Sequence, residues 1–176
     1  MRRLLLLRHA KAERAAPAGG RDRDRLLAPI GRDDARRLGT YLVRHDFRPD
    51  LVVVSTAART RETWDLAAAA FPAAPPTIYD DRVYDASPET LLGIFHETDK
   101  QVGTLLVVGH NPGLHEVATL LIASGDLEAR QRINEDFPTA GLAVVDFALD
   151  GWSRLHPHAG RLERFISPRS LATATD

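Results

Sequence analysis

The chain has 176 residues, a formal net charge of -1, 44% hydrophobic residues and no cysteine. This length predicts one domain over 1–176 with a substantial core, while the missing thiols exclude a disulfide framework and the near-neutral charge argues against a dedicated nucleic-acid binder. No apolar run is long enough to cross a bilayer, and Met1 leads into an apolar segment with no room for a signal peptide, so a cytoplasmic protein is the expectation.

Leu4-Leu5-Leu6-Leu7 is an uninterrupted apolar run ended by Arg8 and His9, which reads as a short strand buried on both faces. Ala15 to Arg25 is rich in Gly, Pro and charge and reads as a mobile loop, and a helix is predicted from Ile30 to Arg44. Leu51 to Ser55 is a second buried strand. Arg59 to Phe71 is an Ala-rich helix stopped by Pro72 and the Pro75-Pro76 pair. Thr77 to Tyr79 makes a short strand, and Ser87-Pro88-Glu89 opens a helix to Glu97 with serine as N-cap and proline at the first position. Thr104 to Gly109 is the third apolar strand, and a helix runs from Pro112 through Ile122. Asp126 to Glu135 is a further helix, Ala140 to Phe147 a fourth strand, and Leu162 to Ile166 a last strand. Strands separated by helices predict an α/β fold of three layers, α/β/α, around a mainly parallel, mixed sheet.

The strand exits carry the chemistry. The first delivers Arg8 and His9, the second Ser55 with Arg59 in the following helical turn, and the third His110 and Asn111 just before a helix. Parallel strands present such ends at one edge of the sheet, where open α/β folds place their ligands. Arg8 and His9 can equally mark the point where a core strand reaches water. If the exits converge, two arginines, two histidines and a helix amino terminus form a cationic pocket suited to a phosphoryl group. Apart from Arg8, the basic opening segment (Arg2, Arg3, Lys11, Arg14, Arg21, Arg23, Arg25, Arg32, Arg36 and Arg37) reads mainly as solvated surface, though Lys11, Arg21, Arg23 and Arg25 could meet a substrate beyond the phosphate. His110 and His115 are spaced wrongly for two ligands on one helical face, and His156 and His158 lack accompanying carboxylates, so neither a metal nor a cofactor is expected.

The Arg8-His9 strand end, the segment Ser55-Thr56-Ala57-Ala58-Arg59-Thr60-Arg61-Glu62-Thr63 and Gly109-His110-Asn111-Pro112-Gly113 resemble the histidine phosphatase superfamily, which includes the phosphoglycerate mutases. Tyr84 to Leu92, Phe137 to Ala140 and the compact size resemble its SixA-like phosphohistidine phosphatases. The resemblance implies a phosphoglycerate mutase-like fold and a metal-independent phosphatase. In it His9 forms a transient phosphohistidine while Arg8, Arg59 and His110 hold the phosphoryl oxygens, with Asn111 beside them. It implies a phosphorylated partner: a protein phosphohistidine, for example on a histidine phosphotransfer domain, or else a small phosphoester or sugar phosphate. A non-catalytic phosphate-binding module is the alternative from another class. Two positions depart from the family pattern. Ala10 stands where the Arg-His-Gly triplet has glycine, and Asp85 stands where many members carry a glutamate general acid; Asp85 is either that acid or a turn residue before the helix N-cap.

Overall fold

The computed structural model describes residues 1–173. Seven strands form one sheet in the order β3-β2-β4-β1-β6-β7-β5, with β1 at Arg2–Arg8, β2 at Leu51–Val54, β3 at Thr77–Tyr79, β4 at Thr104–Gly109, β5 at Ile122–Gly125, β6 at Leu142–Phe147 and β7 at Gly160–Ile166. β3, β2, β4 and β1 are mutually parallel, and β6 runs antiparallel to both β1 and β7. The sheet is therefore mixed and mainly parallel.

The first strand shows why an unbroken leucine run is needed. Successive side chains of a strand point to opposite faces. Leu4 and Leu6 pack with α3 (Pro88–Glu97), α4 (Gly113–Leu121) and α5 (Leu127–Glu135), through Phe95, Leu114, Val117 and Ile133. Leu5 and Leu7 pack on the opposite face with α1 (Pro29–Arg44), α2 (Ala58–Ala68) and α6 (Pro168–Thr173), through Leu38, Leu42, Trp64 and Leu171. All four leucines are fully buried. At about 1.5–3 kcal/mol per buried aliphatic side chain, both layers are anchored on this strand.

Several boundaries differ from expectation. The helix expected from Pro112 through Ile122 is α4, which stops at Leu121, and Ile122 opens the edge strand β5, paired in parallel with β7. A four-residue edge strand carries too little periodicity to be seen without its partner. β6 starts at Leu142 because Ala140 turns the chain with a φ of 56°. α2 ends at Ala68, short of Phe71, and the C-terminal α6 was not expected. The Ala15–Arg25 stretch is tied at its base, where Ala12 bridges Leu27 and the Lys11 carbonyl accepts from Ala28 N–H, and it carries a 3-10 turn at Asp22–Asp24. Trp152, Phe137 and Phe147 are buried in the core. Among the described residues no helix is long and apolar enough to cross a membrane.

Candidate active site

The register of the parallel strands levels the three exits. Leu7 and Val54 both pair with Val108, and Arg8 pairs with Gly109, so His9, Ser55 and His110 all leave the sheet at the same edge. His9 N–H donates to the Gly109 carbonyl and Ser55 N–H to the Val108 carbonyl, which locks the exits together. A cleft of about 350 Å³ opens there, lined by Arg8, His9, Lys11, Ala12, Arg14, Arg25, Arg59, Asp85, His110, Asn111 and Thr139. Each residue singled out from the sequence, Arg8, His9, Arg59, Asp85, His110 and Asn111, faces this one space.

The His9 ring has a defined proton. Its Nδ1 lies 2.8 Å from the Ala10 carbonyl oxygen. A carbonyl can only accept, so Nδ1 carries the hydrogen and Nε2 keeps its lone pair. The Ala10 peptide is itself held, since its N–H donates to Thr63 Oγ1 at 3.0 Å and that hydroxyl donates to the Arg59 carbonyl at 2.7 Å. Burial pushes the His9 imidazole down to about 4 and the charges of Arg59, Arg8 and Arg25 add to this, with the Ala10 hydrogen bond opposing. His9 is therefore neutral near pH 7, and its ring centroid is 5.4 Å from that of His110. Ala10, in the position of the family glycine, buries its methyl group among Leu27, Ala35 and Ala140, which explains why a side chain is accommodated there.

His110 is fixed through Ser55. Its Nε2 is 2.7 Å from Ser55 Oγ, and that oxygen also accepts, at 3.4 Å, from Ala57 N–H. Among the described residues the Ser55 hydroxyl hydrogen has no other acceptor, so it goes to Nε2, which leaves the proton of the neutral His110 ring on Nδ1. Burial first, then the His9 ring where it is protonated and the Arg59 charge, push His110 down to about 3, with Asp22 opposing.

The arginines are clamped by their outer nitrogens. Arg8 Nη1 donates to the Phe137 carbonyl at 3.0 Å, and Asn111 Nδ2 donates to the same oxygen at 2.9 Å. Arg59 donates from Nη1 to the Asp22 carbonyl at 3.0 Å and from Nη2 to Asp22 Oδ2 at 3.2 Å. Buried polar atoms in folded proteins are nearly always paired. Yet Arg8 Nε, Arg59 Nε, His110 Nδ1 and Asn111 Oδ1 are buried and unpartnered, and all four belong to residues lining this cleft. Three of them are N–H donors. Such a set is built to receive an anion with several acceptor oxygens.

Sequence reasoning missed Asp22 and Tyr84. The Tyr84 hydroxyl donates to Asp22 Oδ2 at 2.5 Å, and its ring stands edge-on to His110 with centroids 5.4 Å apart. The Asp22 carboxyl is held well below the usual carboxylate range, by the Tyr84 hydroxyl first and by Arg25 and Arg59 after it, against burial. Asp22 lies in an irregular loop with no periodicity to mark it. Thr63, by contrast, follows Arg59 by one helical turn, a spacing that places it on the same face. Arg61 is exposed, donates to the Thr56 carbonyl and lies over the Tyr79 ring. Asp85 is exposed at the cleft mouth with a φ of 49°. Among the described residues no group of three or more His, Cys, Asp or Glu is placed to hold a metal ion.

Comparison with known proteins bears on this geometry. The family model of the histidine phosphatase superfamily, branch 1, matches residues 4–102. An uncharacterized protein of Mycobacterium tuberculosis is 39% identical over 165 residues, spanning 93% of this chain and 100% of the relative. Among solved structures, a candidate phosphohistidine phosphatase SixA from Agrobacterium tumefaciens is 35% identical, covers 95% of this chain and 99% of its own, and superposes with a TM-score of 0.78. A second SixA candidate, from Nakamurella multipartitia, is 29% identical, covers 95% of this chain and 96% of its own, and gives a TM-score of 0.82.

Proposed function

Given that this chain belongs to the histidine phosphatase superfamily and has the phosphoglycerate mutase-like fold of its SixA-type members, we propose that it removes phosphate from phosphohistidine on a protein, through a phosphohistidine formed on His9. The observation that carries this reading is the neutral His9 imidazole, its Nε2 lone pair free, in a cleft where Arg8 Nε, Arg59 Nε and His110 Nδ1 are buried without partners.

The reaction follows from these groups. Arg8, Arg59 and His110 bind the phosphoryl oxygens and stabilise the charge that spreads over them in transfer. His9 Nε2 attacks phosphorus in line, forming an N–P bond as the substrate N–P bond breaks, and the departing imidazole keeps the electron pair and leaves protonated at its other nitrogen. The His9 ring becomes cationic at this step, and the Ala10 carbonyl, already accepting from Nδ1–H, stabilises it. Water then attacks the phosphoenzyme, its proton passes to Asp85 at the cleft mouth, and inorganic phosphate departs with neutral His9 restored. An imidazole leaving group asks little of a general acid, which suits an exposed aspartate in place of a glutamate. Asn111 shares the Phe137 carbonyl with Arg8 and so sets where that guanidinium stands. The partner suited to an open cleft is a phosphorylated protein such as a histidine phosphotransfer domain.

Trapping tests the reading. Brief incubation with substrate and an acid-free quench leaves an acid-labile, base-stable phosphate on His9, absent in His9→Ala. Turnover of a phosphohistidine protein is then compared with a panel of metabolite phosphoesters. Faster ester hydrolysis overturns the substrate assignment, and activity retained in His9→Ala overturns the covalent mechanism.

A further inference from the structure

We infer that Lys11 and Arg14 form an outer anion site, and that the preferred substrate segment carries acidic residues beside its phosphorylated histidine; the inference rests on the phosphohistidine reading above. The basic side chains of the 11–25 segment fall into two groups. Arg21 pairs with Asp24, Arg23 donates to Thr56 and to Asp81 at 3.0 Å, and Arg25 donates to the Glu13 carbonyl at 2.7 Å and to Asp22 at 3.1 Å. These three hold the loop together. Lys11 and Arg14 do not: both are exposed, both line the cleft, and neither side chain has a hydrogen bond or ion pair among the described residues.

Their placement is specific. Lys11 follows His9 by two residues, at most about 7 Å along the chain. Its backbone is fixed, because α1 docks on it through Gly31, where an added Cβ would come within 2.1 Å of the Lys11 carbonyl oxygen. Lys11 and Arg14 also line the shallow groove that continues from the cleft along residues 12–17 and past Leu26. Five basic side chains line the cleft against Asp85 as its acid, with Asp22 behind Arg25 and Arg59. That is more positive charge than one phosphoryl dianion neutralises. The inner donors serve the phosphate, and the surplus falls on the two cations at the rim, over the path a protein segment must take to leave the cleft. Carboxylates within two or three residues of the phosphohistidine reach them.

The test uses two synthetic peptides, each with one phosphohistidine, flanked in one by glutamates and in the other by alanines. Exposed ion contacts are individually weak, so two of them predict a kcat/KM ratio of about five in favour of the acidic peptide at low salt. In K11A/R14A that ratio falls toward one, and in the unaltered protein it falls likewise as salt is raised. A ratio near one in the unaltered protein, or one that persists in K11A/R14A, overturns the inference while leaving the phosphohistidine reading intact. If neither peptide is turned over while p-nitrophenyl phosphate is, the phosphohistidine reading fails and this inference falls with it.

Discussion

Replacing Ser55 by alanine removes one oxygen, yet its consequence should reach the reacting centre. Ser55 is fully buried, and its hydroxyl is the group that sets the His110 tautomer through a 2.7 Å bond to Nε2. Without it a nitrogen of a ring that is 5% exposed loses its partner. An unsatisfied buried polar group costs about 1–3 kcal/mol. For a domain of this size each kcal/mol moves Tm by about 2–4 °C, so Ser55→Ala should melt about 2–12 °C lower. The second effect is on chemistry. With Nε2 unpaired, the ring proton is no longer confined to Nδ1, and the donor aimed at the phosphoryl group is present only part of the time. Losing such a donor outright costs about 100- to 1000-fold, and sharing the proton between two tautomers of similar energy should lower kcat/KM for p-nitrophenyl phosphate by about 2- to 10-fold. Imidazole ¹⁵N shifts read the tautomer independently of activity. Unchanged turnover together with an unchanged His110 ¹⁵N pattern would refute the assignment of the proton to Nδ1.

Stability should depend on pH through the two buried histidines. His9 is held at about 4 and His110 at about 3, chiefly by burial, whereas in the unfolded chain a histidine takes its proton near 6.5. The unfolded state binds more protons in between, so stability is full above about pH 6.5 and is lost as pH falls toward 4. Urea titrations should show a loss on the order of 5 kcal/mol between pH 7.5 and 4.5, about half of it gone in His9→Asn; a flat profile would contradict the burial argument. Asp22→Asn keeps the shape of the group that backs Arg59 but removes its charge, so inorganic phosphate should inhibit about fivefold more tightly, measured by product inhibition. Two helix glycines should part company in thermal melts. Gly93→Ala meets nothing within 4 Å and should stabilise by about 0.5–1 kcal/mol, whereas Gly31→Ala would drive a Cβ to 2.1 Å from the Lys11 carbonyl and should destabilise by about 1–3 kcal/mol.

What could be read before folding was whatever repeats along the chain or ends abruptly. Four leucines ended by Arg8-His9, the β-branched run before Ser55 and the run before His110 mark strands that must be buried on both faces, and such strands require the helices that flank them. That reasoning yields the three-layer architecture and the residues at the strand ends, because burial of apolar surface is a property each segment declares locally. Edge strand β5 and helix α6 stayed hidden because four to six residues carry too little pattern, and β5 exists through its pairing with β7. Tertiary structure alone decided the rest. Asp22 reaches Arg59 across 37 positions and Tyr84 across 62, and Thr63 holds the Ala10 peptide across 53. The tautomers of His9 and His110, and the unpartnered donors between them, follow from which carbonyl or hydroxyl each ring meets. Hydrogen bonds are directional and short, so groups distant in sequence acquire their protons and their free valences only when the sheet register and loop closure bring them within 3 Å of one another.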